Sequence, residues 1–95
     1  MEEKFIGAWA AAREQAAALG VRIRPVAEVD ALKTAKRILS GRRLSDGFND
    51  LREKGHLELS LEALAIDKRF TGLFTDEEAN EALARLLEAG YRFEM

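Results

Sequence analysis

The segment Thr75-Asp76-Glu77-Glu78-Ala79-Asn80-Glu81-Ala82-Leu83-Ala84-Arg85-Leu86-Leu87-Glu88-Ala89-Gly90 carries the clearest helix signal in the chain and points to a mainly α fold. The Thr75 hydroxyl can accept from an unpaired N–H of the first turn, and Glu78 stands where its carboxylate reaches back to the Thr75 N–H, a capping box. Asp76, Glu77 and Glu78 place negative charge at the positive end of the helix dipole. Ala79, Ala82, Leu83, Leu86 and Leu87 recur at helical spacing and form an apolar stripe. Gly90 supplies the left-handed residue that ends many helices.

Upstream, Phe70, Leu73 and Phe74 form an apolar knot before this helix, and Ser60 is placed to cap a helix continuing through Glu62-Ala63-Leu64-Ala65. Leu59 and Leu64 flank that cap at hydrophobic-staple spacing. Ser45 reads as the N-cap of a short helix ending near Lys54, with Phe48 and Leu51 inward and Gly55 as its stop. A helix over about 28–39 turns Val29, Leu32, Ala35, Ile38 and Leu39 inward. At the N-terminus, Phe5, Trp9, Ala12, Ala16 and Leu19 fall on one face of a helix over 3–19, closed by Gly20. Between these two helices, Val21-Arg22-Ile23-Arg24-Pro25 alternates as a short strand does, ending at the proline. Leu19-Gly20-Val21-Arg22-Ile23 is echoed by Ala89-Gly90-Tyr91-Arg92-Phe93, which suggests two very short strands, 21–25 and 91–95, each leaving a helix.

A chain of 95 residues, 47 % apolar and 34 % charged, suits one small globular domain over 1–95, a compact bundle of about five short helices. It contains no cysteine, which excludes disulfides, thiolate metal sites and cysteine nucleophiles and is compatible with a reducing cytoplasm. The acidic N-terminus lacks the basic start of a secretion signal. The apolar run around Ala8 to Ala12 is far short of the ~20 residues that cross a bilayer. The expectation is a cytoplasmic protein with no membrane partner.

The chemistry-bearing residues are sparse. His56 is the single histidine, and only carboxylates could join it around a metal. Asp76, Glu77, Glu78 and Glu81 lie in a helix start, without the wrapping loop that calcium needs. No serine sits in a nucleophile-elbow pattern, and no glycine precedes the Lys-Ser/Thr of a phosphate loop. The sequence therefore offers no catalytic residues, no metal ligands and no cofactor.

Charge is distributed unevenly. Lys33, Lys36, Arg37, Arg42 and Arg43 are five basic residues with no acidic one among them, whereas 58–95 holds nine acidic against four basic residues. With Arg22, Arg24 and Ser45, the basic stretch 33–43 is the candidate nucleic-acid contact, its backbone N–H groups and arginines facing phosphate. The alternative is a solvated helix face that pairs with the acidic C-terminal helix. Phe5, Trp9, Phe70 and Phe74 are candidates for core packing or for an interface, a homodimer included.

The order over Val21 to Lys54, an Arg-bearing strand, a helix, a Gly-Arg turn and a Ser-capped helix, loosely resembles a ribbon-helix-helix DNA-binding unit. That resemblance implies base contacts from Arg22 and Arg24 and a phosphate near Ser45. The chain departs from the pattern at the early Pro25, in its apolar spacing before Gly41, and in the helix that precedes the strand. The favoured expectation is a small non-enzymatic regulatory or protein-interaction domain, with a DNA- or RNA-binding regulator as the alternative.

Overall fold

The computed structural model describes residues 1–41 and 43–91, and these form five α-helices. They are α1 (Glu2–Ala18), α2 (Ala31–Ser40), α3 (Phe48–Lys54), α4 (Leu61–Ala65) and α5 (Asp76–Glu88), with 3-10 turns at Glu28–Asp30, Leu57–Leu59 and Lys68–Leu73. The mainly α reading holds. There is no strand among the described residues. Segment 21–25 is extended but unladdered: Val21 is buried, and the Arg24 N–H donates to the Asp46 carboxylate at 2.8 Å instead of to a neighbouring strand. The second expected strand, 91–95, lies outside the described residues beyond Tyr91, as does Arg42.

The sequence echo has a different physical origin from strand pairing. After α1 the Gly20 N–H donates to the Ala17 carbonyl and the Val21 N–H to the Ala16 carbonyl. After α5 the Gly90 N–H donates to the Leu87 carbonyl and the Tyr91 N–H to the Leu86 carbonyl. Both are Schellman stops, with glycine at φ +86° and +82°. The repeat of Gly followed by an apolar residue is a repeat of helix-ending chemistry.

α1 buries Phe5, Trp9, Ala12 and Ala16, as its spacing demands. It packs on α2, α4 and the 3-10 turns 57–59 and 68–73. The Phe5 ring lies 5.8 Å from Trp9, 5.5 Å from Phe70 and 5.3 Å from Phe74, edge-on to both phenylalanines. The aromatic residues considered as an interface are thus the centre of the core. α5 lies across α2 and α4.

Three helix details correct the sequence reading. Val29 points outward, 91 % exposed, because residues 28–30 form a 3-10 turn whose phase differs from that of α2. Ser45 does not cap α3; Gly47 holds the N-cap position, at φ +79°. A Cβ there would come within 2.8 Å of Ile23 Cγ1 and 3.0 Å of Val21 Cγ1, so glycine lets the extended segment close over the start of α3. On α5, the buried positions are Glu78, Ala82, Arg85 and Leu86, while Leu83 and Leu87 of the expected stripe are exposed. The helix is rotated away from its most apolar face because its two neighbours each present a partner for a charge.

The remaining caps match the sequence. Ser60 accepts from the Ala63 N–H at 3.2 Å, and its hydroxyl donates to the Leu57 carbonyl at 2.7 Å. Thr75 accepts from the Glu78 N–H at 3.1 Å while Glu78 accepts from the Thr75 N–H at 2.8 Å, completing the capping box. Thr75→Ala should therefore lower stability by about 1 kcal/mol, read as a reduced urea midpoint, with Thr75→Ser near wild type. An unchanged midpoint in the alanine variant would mean that the box contributes nothing.

Candidate functional site

Among the described residues the basic stretch is divided between two sites. Lys36 is half-buried and turned toward α5, where its ammonium donates to the Glu78 carboxylate at 2.8 Å and the Leu73 carbonyl at 2.9 Å. It also lies 5.5 Å from the centre of the Phe74 ring. This is the pairing with the acidic C-terminal helix, achieved by one residue. Lys33 is exposed on α2 one turn before Arg37, and Arg22 is exposed beside Arg24, Pro25 and Asp46.

Burial pushes the Glu78 carboxyl up, but the hydrogen bonds from Lys36 and the Thr75 N–H outweigh it and hold the group below its ordinary 4.5. The hydrogen bond from Arg69 likewise holds Asp67 below its ordinary 3.8. A carboxyl whose pKa is lower in the folded state stabilises the fold above its ordinary pKa and stops doing so as pH falls through the depressed value. The melting temperature should therefore begin to lose these contributions below about pH 4.5, and Glu78→Gln should flatten the upper part of that acid limb. An identical acid limb in the variant would show that Glu78 is not held by Lys36 in solution.

Arg24, Arg37 and Arg43 instead line one open groove. Arg24 comes from the extended segment, Arg37 from α2 and Arg43 from the turn after it. Ser45 and Asp46 form part of the floor. At one end the groove deepens into a chamber of about 410 Å³ between residues 23–27 and α2, with Trp9, Ile23, Pro25, Val26, Ile38 and Leu61 among its walls. At the other end it opens past Gly41, Arg43 and Leu44. Asp30 lies at the chamber end and Asp46 in the middle, where its carboxylate is already engaged by the Arg24 N–H. None of the three arginines makes an ion pair among the described residues.

The groove rests on a buried polar network absent from the sequence reading. Glu62 on α4 is 0 % exposed and accepts from the Ser45 N–H at 3.0 Å, from the Ser45 hydroxyl, and from Arg85 Nη1 at 3.2 Å. Arg85 on α5, 6 % exposed, also donates to the carbonyls of Gly41 at 2.8 Å and Ile38 at 3.3 Å, and to Glu81 at 3.2 Å. Those two carbonyls belong to the end of α2, where the Ile38 carbonyl also accepts from the Gly41 N–H at 3.2 Å. The network thus fixes the end of α2 and the turn at Ser45 against α4 and α5, and so places Arg37 and Arg43. Ser45, considered for phosphate contact, is buried within it. The signal available in the sequence was Arg85 itself, at helical spacing from Glu78 and Ala82 on the inward face.

His56 contacts the Glu58 carboxylate at 2.9 Å. Among the described residues no group of three or more histidines and carboxylates could hold a metal, and no helix is long and apolar enough to cross a membrane. Comparison of the chain with known families, curated proteins and solved structures finds no match.

Proposed function

We propose that this chain is a small non-enzymatic protein-interaction domain and that the groove bearing Arg24, Arg37 and Arg43 is its binding face. The observation that supports this reading is the division of the basic stretch. A nucleic-acid track needs cations spaced along a phosphate backbone, since those contacts supply most of the affinity. Here Lys36 is taken up by Glu78 and Leu73, Lys33 does not line the groove, and Arg24, Arg37 and Arg43 gather instead along a groove that deepens into a partly apolar chamber. Apolar surface with a few placed polar groups is the usual anatomy of a site for a protein segment or an organic ligand. A cytoplasmic setting fits the lack of cysteine.

Titration of labelled duplex DNA, single-stranded DNA and RNA at about 50 mM and 200 mM salt tests the reading. The expected result is no saturable binding at either salt. Binding that falls steeply between the two concentrations and is lost in Arg24→Glu/Arg37→Glu/Arg43→Glu would establish the nucleic-acid alternative.

A further inference from the structure

We infer that the groove receives an acidic segment of another protein, one apolar side chain of which enters the chamber beside Trp9, Pro25 and Ile38 while its carboxylates meet Arg24, Arg37 and Arg43. This rests on the protein-interaction reading and adds the chemistry of the partner. Charge complementarity selects the occupant. The open end carries arginines without ion pairs among the described residues, and planar guanidinium groups pair with carboxylates in a bidentate manner. The chamber, about 410 Å³, lies within the range of roughly 300–1,000 Å³ typical of ligand sites and so accommodates a leucine- or phenylalanine-sized group.

The two ends differ in charge, which gives the bound segment a direction. Asp30 stands at the chamber end and Arg43 at the open end. The apolar anchor lies toward Asp30, and the run of carboxylates extends past Arg37 toward Arg43. An acidic residue on the other side of the anchor would meet Asp30 and weaken binding, so the preferred segment is acidic on one side only.

Trp9 is the single tryptophan of the chain and forms part of the chamber wall, so its emission reports occupancy directly. The probes are synthetic peptides in which leucine, isoleucine or phenylalanine is followed by a run of glutamates. Controls replace the anchor by serine, replace the glutamates by lysines, or reverse the order of anchor and glutamates. Saturable quenching or shift of the Trp9 emission is expected with the anchored acidic peptides, at least about tenfold weaker with each control, where tenfold corresponds to 1.4 kcal/mol. Arg24→Glu/Arg37→Glu should weaken the acidic peptides by a similar factor and restore binding of the lysine version. Ala27→Phe, at an exposed position on the chamber rim, should weaken anchored peptides while leaving the thermal melt near wild type.

Absence of a saturable response across the peptide panel overturns the inference. So does an acidic-peptide affinity unchanged by both Arg24→Glu/Arg37→Glu and Ala27→Phe. A response of equal size and affinity from phenylbutyrate or hexanoate would assign the site to a small amphipathic acid instead. Concentration-dependent dimerisation in light scattering, abolished by Arg24→Glu/Arg37→Glu, would assign it to a second copy of this chain. In all of these cases the nucleic-acid titration is still negative and the protein-interaction reading is judged separately. Salt-sensitive DNA or RNA binding that needs the same arginines would remove both.

Discussion

Arg85→Met should destabilise the domain by about 3–5 kcal/mol, the cost typical of stranding one member of a buried ion pair. A chain of this length has a total stability of about 5–14 kcal/mol, so the variant approaches the threshold of unfolding at room temperature. The reason is the position of Glu62, fully excluded from solvent and left with only Ser45 as a partner once the guanidinium is gone. The Gly41 carbonyl loses the Arg85 donor in the same step, and the Ile38 carbonyl keeps only the Gly41 N–H. Glu62→Leu alone should cost a comparable amount, because Arg85 would then be buried with a reduced set of acceptors. The double variant Glu62→Leu/Arg85→Met should recover much of the combined loss, since no charge is left behind, although the Ser45 N–H and hydroxyl and the Gly41 carbonyl still lack these partners. Chemical denaturation of the four proteins gives the cycle. A loss below about 1 kcal/mol for Arg85→Met would show that the pair is hydrated in solution and does not fix α5.

Phe5→Ala should be nearly as damaging, by about 3–5 kcal/mol, through lost burial and the cavity left behind. Phe5 is the ring that the others share, in contact with Trp9 on its own helix and edge-on to Phe70 and Phe74 from the segment before α5. Its removal also forfeits edge-to-face contacts worth about 0.5–1.5 kcal/mol for each aromatic pair. Phe5→Leu refills most of the volume and should cost far less. Equilibrium unfolding followed by far-ultraviolet circular dichroism checks both, and the alanine variant should also lose the near-ultraviolet signal of Trp9. A small effect would require the aromatic cluster to re-form around another residue.

What could be read in the sequence was local. The Thr75 and Ser60 caps, the glycine stops and the inward face of α1 depend on neighbours three or four positions away, and a single helix carries that information in full. What could not be read depends on residues far apart in the chain. The burial of Glu62 and Arg85 is intelligible only once α4 and α5 lie together, 23 positions apart in sequence. Pairing of the basic stretch with the C-terminal helix was legible only as an alternative, and not by residue, because Lys36 and Glu78, which make it, are 42 residues apart. The apolar stripe of α5 was misjudged for the same reason: the helix was expected to bury its greasiest side, yet two ion pairs to other elements set its rotation. Segment 21–25 alternates like a strand, but alternation records only that one side is buried, and here a carboxylate from the loop before α3 takes the N–H that a ladder would have used. The groove is the least legible feature of all, since its arginines come from separate elements and only the fold gathers them.

Gly47 has a consequence for the lineage of this chain. Its backbone conformation and the methylene of Ile23 against it leave no room for a side chain, whatever the domain binds. The exposed arginines at the rim, Arg24, Arg37 and Arg43, place no such demand on the backbone and can be exchanged without strain. A diverged copy of this domain would then keep a glycine before its third helix, with a branched aliphatic residue about two dozen positions earlier, after its charged signature had been rewritten. That pairing, rather than the basic stretch, is the mark by which distant kin would be told from chance resemblance.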